Sequence, residues 1–121
     1  REAPVHDNVK QAIVAASERD TRLIMRPIRN TERVLRNPSV DRVLDIERDR
    51  GSDLHFDDIA SEVVGVYPRV MLEGQADSGP WSCGMVAGLI HDIPTCKELI
   101  DRLMSEAETI IRKRLEGLLA A

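Results

Sequence analysis

Residues 79–94 read GPWSCGMVAGLIHDIP, and how this stretch is read decides the fold. It carries the chain's one Trp and three of its seven Gly, and it ends in a proline just before a long helical pattern. Gly79, Gly84 and Gly88 are spaced five and then four apart. A phosphate-cradling loop would cluster its glycines at a helix N-terminus and follow them with Lys-Ser or Lys-Thr. None follows, so a nucleotide-triphosphate loop is excluded. Gly84 and Gly88 lie one helical turn apart, a spacing that lets backbones approach closely or leaves room for a cofactor. Ser82–Ile90 reads as a short helix that stops before His91-Asp92-Ile93-Pro94.

Downstream, Thr95-Cys96-Lys97-Glu98 is a capping box, in which hydroxyl and carboxylate each take a free amide of the first turn. Leu99, Ile100, Leu103, Met104, Ala107, Ile110, Ile111, Leu115 and Leu118 then recur at helical spacing. The pattern predicts a helix over 95–116 with an apolar stripe broad enough to need a sizeable partner, such as the outside of a parallel sheet or barrel.

Upstream, Val5, Val9, Ala12, Ile13 and Ala16 predict a first helix over 4–17, with Pro4 in its first turn. Leu23-Ile24-Met25 predicts a short extended segment over 22–26, because Pro27 forbids a continuing helix. Arginines at 22, 26, 29, 33 and 36 would form one basic face only on an unbroken helix. Pro27 breaks it and no aromatic residues interleave, so the arginines read as solvated or acid-paired, with one or two left open to meet an anionic substrate. Asn37-Pro38-Ser39 is a turn, with Ser39 as the N-cap of a helix over 40–50 that Gly51 stops. A further helix over 53–64 places Phe56, Ile59, Ala60, Val63 and Val64 inward, and Gly65 ends it. Pro68 suits the first turn of a short helix over 67–72. Residues 73–80, EGQADSGP, are a loop by every local signal and the best candidate for a site-facing one.

Composition sets the outer bounds. The chain has 121 residues, an apolar fraction of 42% and three aromatic residues, so its core must be aliphatic and helix-built. A net charge of −4 with mixed signs gives no field for nucleic acid or anionic lipid, and neither is expected as a partner. No apolar run is long enough for a membrane span, and no stretch reads as a signal-peptide h-region. Cys83 and Cys96 suit a reducing, cytoplasmic setting and lack metal-ligand spacing. His6, His55 and His91 form no ligand pair, so no metal is expected, and no residue is assigned a catalytic role. The chain begins at Arg1 in mid-pattern, as a piece of a longer protein would.

The run SxGxVAGLIxDIPTxxELI (82–100), the opening REAPVHDNVK (1–10) and ASERDTRLIMRPIRNT (16–31) resemble the C-terminal part of the nitronate monooxygenase family. This family is also called 2-nitropropane dioxygenase-like, and its members are FMN-dependent TIM-barrel enzymes. The resemblance implies a mostly α segment, the inserted helical domain plus the final helix of an α/β barrel whose strands lie upstream. It assigns 1–80 to the helical lid domain and 81–121 to the return to the barrel. It implies an FMN-dependent oxidoreductase that oxidises alkyl nitronates with O₂, the 121-residue piece being inactive alone. The family's catalytic His and most FMN contacts lie upstream of this chain.

The same resemblance places Glu2, Ser82, Gly84 and Met85 at the flavin and His6 and Trp81 at the substrate pocket. The family's Ser-x-Gly-Gln is Ser82-Cys83-Gly84-Met85 here, so a thioether replaces an amide. Expected partners are a small-molecule substrate, the upstream barrel and, as one option, a second copy in a homodimer. Relatives with the same fold include NAD(P)H-dependent enoyl-ACP reductases, which is the alternative reading within the class. A helical interaction module using the Leu99–Leu118 stripe is the alternative outside it.

Overall fold

The computed structural model describes residues 1–119, and its contacts divide the chain into two compact units. One comprises residues 4–92; the other joins residues 1–3 to those from 93 on. Within the first unit, 81–89 pack on elements that precede them.

In the larger unit, the first helix, α1, spans Asp7–Ala15. It starts later than Pro4, because the His6 side chain accepts from the Asn8 amide and so sets the N-cap. β1 (Thr21–Ile24) pairs antiparallel with β2 (Glu32–Leu35), Thr21 lying opposite Leu35 and Ile24 opposite Glu32. The extended reading of 22–26 therefore holds for its first part, while β2 went unread. A hairpin also disposes of the basic helix face. Arg33 donates to the Thr21 hydroxyl at 2.8 Å, and Arg36 pairs with Asp41 at 3.1 Å.

Helix α2 spans Pro38–Arg50 and is capped by Asn37, whose side chain accepts from the Val40 amide at 2.9 Å. Ser39, expected as the cap, instead lies inside the helix and is fully buried. Asn outranks Ser here because Pro38, without an N–H, suits the first helical position directly after the cap. Gly51 ends the helix at φ 56°, as read. A 3₁₀ turn over Gly51–Asp53 leads to α3, Phe56–Val63. Ile59 is fully buried as expected, but Phe56 is 46% and Val64 59% exposed, so the inward face is narrower than the sequence suggested.

Two clusters form the core of this unit. Ile24, Met25, Val34, Val40, Val43, Leu54 and Ile59 pack the hairpin against α2 and α3. Val9, Leu35, Val70 and Trp81 pack α1 against β2, the short π-helical turn Pro68–Leu72 and the chain that follows. Because Val34 and Leu35 are consecutive on a strand, they face opposite ways and serve the two clusters separately. α2 and α3 are also stapled by charge. The Arg42 guanidinium donates to the Glu62 carboxylate at 2.8 and 3.1 Å, and the buried Ser39 hydroxyl adds a bond of 2.7 Å.

The smaller unit is dominated by α4, Cys96–Leu119, beginning one residue inside the expected start and running past the expected end. Its capping box forms as read: Glu98 accepts from the Thr95 amide at 2.7 Å, and the Thr95 hydroxyl accepts from the Glu98 amide at 3.1 Å. None of its residues is buried, and Leu103, Met104, Ile111 and Leu115 are all more than half exposed. The broad apolar stripe is real and uncovered. Among the described residues, no helix is long and apolar enough to cross a membrane.

The Arg42 bonds, followed by that from Ser39, hold the Glu62 carboxyl below the ordinary range. A carboxyl with a depressed folded-state pKa contributes stability that is complete above its unfolded value, about 4.3. That contribution is lost as pH falls through the lower folded value. Glu62→Gln should therefore lower the thermal midpoint near neutral pH, and its deficit should shrink as pH falls below 4.5. Circular-dichroism melts at a series of pH values check this; a deficit independent of pH contradicts it.

Candidate functional site

The loop over 73–80 is met by two of the named site residues, His6 and Trp81, and its backbone is held from several sides. Gly74 sits at φ 73°, and a Cβ there would lie 2.2 Å from the His6 ring nitrogen. His6 thus closes on Gly74 while its own amide donates to the Met71 carbonyl at 2.8 Å. The Asn8 side chain donates to the Gly74 carbonyl at 3.0 Å. At the other end a Cβ on Gly79 would lie 2.3 Å from a Val66 methyl. Only glycine lets both ends of the loop seat so closely.

Between these ends, the Asn37 amide donates to the carbonyls of Ala76 and Gly79, each at 3.0 Å. Trp81 Nε1 donates to the same Ala76 carbonyl at 3.0 Å. The Asn37 side chain is therefore used three times, once for α2 and twice for the loop. The loop's outer side, with Asn8, Gly74 and residues 75–78, lines a concavity of about 520 Å³ that is wide open to solvent.

After the loop, the chain runs beside β2. The Leu35 amide donates to the Trp81 carbonyl at 3.2 Å, and the Cys83 amide donates to the Arg33 carbonyl at 3.0 Å. Val34 and Ser82 thereby form an antiparallel bridge, so 81–83 extends the hairpin as an irregular third strand. The Ser82 hydroxyl donates to the Glu32 carboxylate across this edge. Next comes the expected short helix, as a 3₁₀ turn over Met85–Leu89 with Gly84 before it.

The two glycines of this segment differ. A Cβ on Gly88 would meet the Glu18 backbone nitrogen at 2.6 Å, so Gly88 is a packing glycine. At Gly84, among the described residues, a Cβ would make only ordinary contact with Val86, at 3.7 Å, and the residue is exposed. Cys83 is half-buried and a free thiol, and burial pushes its pKa up, away from the reactive thiolate.

Ser82, Gly84 and Met85 are thus close in sequence and all exposed, separated by the half-buried Cys83, with Met85 55% exposed. Trp81 and His6 meet the same loop, Trp81 through Ala76 and His6 through Gly74. The Trp81 ring itself is a core residue, 6% exposed. Glu2 belongs to the smaller unit, where its carboxylate accepts from the Cys96 amide at 3.0 Å and so caps α4. Hydrogen bonds from its own amide, and from Cys96 after it, hold its carboxyl below the ordinary range against the opposing effect of burial. Asn37 and Asn8 were missed as organisers. Asn directly before Pro was the available signal for the first, whereas nothing local to Asn8 reveals its bond to a loop 66 residues away. Among the described residues, no group of three or more His, Cys, Asp or Glu could hold a metal ion.

Comparison with known proteins adds a structural likeness. No family model matches the chain. FabK from Thermotoga maritima superposes on 93% of it with a TM-score of 0.80 and 30% identity. A point mutant of the same FabK does so with a TM-score of 0.72 and 29% identity, again over 93%. The chain spans about a third of the FabK length, 34% and 32% in the two cases. A 5-hydroxy-7a-methyl-1-oxo-octahydro-1H-indene-4-carboxyl-CoA dehydrogenase of Rhodococcus jostii is 43% identical over 37 residues, 31% of this chain and 10% of that protein.

Two sets of substitutions test this geometry. Asn37→Ala removes a cap and leaves two loop carbonyls without donors, and should cost about 2–4 kcal/mol in denaturant unfolding. Gly88→Ala should destabilise by about 1–3 kcal/mol, because backbone cannot yield as a side-chain end can. Gly84→Ala should stay within about 0.5 kcal/mol of the parent. Equal effects at Gly84 and Gly88 would contradict the packing described.

Proposed function

We propose that this chain is the C-terminal portion of an FMN-dependent oxidoreductase of the 2-nitropropane dioxygenase-like barrel family. The observation that carries the reading is the FabK likeness over 93% of the chain, at 30% identity and a TM-score of 0.80. FabK is an enoyl-ACP reductase of that family. The uncovered apolar stripe of α4 supports the same reading. A 24-residue amphipathic helix, roughly 36 Å long, gains little from exposing such a face to water. In this proposal that face packs on barrel strands supplied by the rest of the protein, and the 4–92 unit forms the cover of the flavin pocket.

The residues present suit a position beside a flavin. Gly84 offers an open face to which a planar ring could approach, and Met85 and the Ser82 edge flank it. Bound FMN would supply the electron-transferring chemistry. This chain's own part is to exclude water, shape the pocket and orient the substrate. Met85 presents a polarizable thioether where the family has an amide, so contact at that position is by packing. His6 and Trp81 act through the 73–80 loop, whose shape they fix. Glu2 contributes from the N-terminus of α4.

Two reactions fall within this class. One is oxidation of an alkyl nitronate by O₂ to a carbonyl compound and nitrite. The other is reduction of an enoyl thioester by NAD(P)H, which the FabK likeness supports equally. The dehydrogenase from Rhodococcus jostii is named for a CoA-linked substrate and adds weight to a thioester.

The whole polypeptide loaded with FMN should turn over one of the two. Nitrite release from propyl nitronate under O₂ identifies the first, and enoyl-thioester-dependent NAD(P)H oxidation the second. Met85→Gln should alter kcat/KM in that assay while leaving flavin content intact. Absence of both reactions, with a flavin that neither substrate nor NAD(P)H reduces, would overturn the proposal.

A further inference from the structure

The β1–β2 turn, Met25-Arg26-Pro27-Ile28-Arg29-Asn30, carries two residues in a conformation their side chains disfavour. Met25 has φ 59° and Arg29 φ 58°, the only positive φ values outside glycine among the described residues. The geometry is well defined. The Arg29 amide donates to the Arg26 carbonyl at 3.0 Å, and the Asn30 amide donates to the Met25 carbonyl at 3.1 Å. This is a hairpin turn with a left-handed residue at its end, the position where glycine is the ordinary choice.

The turn is fixed from beneath. Met25 is 5% exposed, its amide donates to the Glu47 carboxylate, and the Asn30 side chain reaches the Met25 sulfur. Ile28 packs against the same core cluster. With residues 25 and 28 held inward, Arg26 and Arg29 are exposed. The other arginines of the hairpin are engaged: Arg22 on the Arg19 and Thr21 carbonyls, Arg33 on the Thr21 hydroxyl, Arg36 on Asp41. Arg26 and Arg29 have no such partner among the described residues. Two unneutralised guanidinium groups three residues apart thus sit on a rigid, strained turn of a chain whose net charge is −4.

Strain kept at a charged position is a mark of use, since a Gly at 29 would relieve it. The geometry points to a docking point for the phosphate or diphosphate group of a soluble ligand at Arg26 and Arg29. Guanidinium forks match phosphate oxygens in pairs, and a charge of about −2 on a phosphate monoester is met by the two cations. The assignment stands apart from the flavin reading and uses none of its residues. An extended acidic peptide fits less well, because the neighbouring hairpin arginines are already occupied.

The test is an NMR titration of the whole polypeptide containing this chain, at low ionic strength, with inorganic phosphate, pyrophosphate, ADP and a hexa-aspartate peptide. Amide shifts at 25–30 are expected with the phosphate ligands. ADP and pyrophosphate binding well above phosphate marks a nucleotide-type diphosphate, whereas equal binding marks free phosphate. The double variant Arg26→Ala/Arg29→Ala should weaken pyrophosphate about tenfold or more. Arg29→Gly should raise the melting temperature by a few degrees, keeping the fold, while still weakening binding. Shifts that ignore these substitutions, absence of binding by every phosphate ligand, or hexa-aspartate binding more tightly than pyrophosphate would overturn it.

Discussion

The Asn37 side chain joins what would otherwise be separate pieces of the 4–92 unit. Its carbonyl oxygen starts α2, and its amide group holds the carbonyls of Ala76 and Gly79, 39 and 42 residues away in sequence. Buried at 6% exposure, it cannot exchange these bonds for water. An unpaired buried carbonyl costs about 1–3 kcal/mol, so three satisfied contacts outweigh any single apolar contact nearby. From that anchor the chain reaches Trp81, which donates to Ala76 as well, and then lies along β2. The segment bearing Ser82, Gly84 and Met85 inherits its position from this bond set.

How much of this was legible depended on the range of the interactions. α4 and its capping box could be read closely, because the Thr95–Glu98 pairing and the apolar repeat are local. Gly51 as a helix stop and Pro68 as a helix start are local too. β2 was not legible: Glu32–Leu35 has only two apolar residues, and it is a strand because β1 and 81–83 flank it. The inward reading of Phe56 failed for a related reason. α3 buries a narrow line centred on Ile59, and periodicity alone does not say how wide the covered face is.

Within the candidate site, the resemblance pointed to a segment, while the geometry of that segment was not in it. Ser82 bridges to Val34 and Met85 opens the 3₁₀ turn after Gly84, whereas Glu2 belongs to the other unit and caps α4. Gly84 and Gly88 look alike in sequence, and only the Glu18 backbone against Gly88 separates them. Trp81 serves the loop with its N–H and the core with its ring, a division of labour typical of a large side chain with one polar atom. Such roles are set by partners tens of residues away.

The most direct measurement of the central claim is flavin content. The whole polypeptide containing this chain, purified and then denatured, should release FMN at close to one equivalent per chain. A colourless protein that releases no flavin, and takes up none when supplied with FMN, would contradict the assignment of this fold to a flavoenzyme.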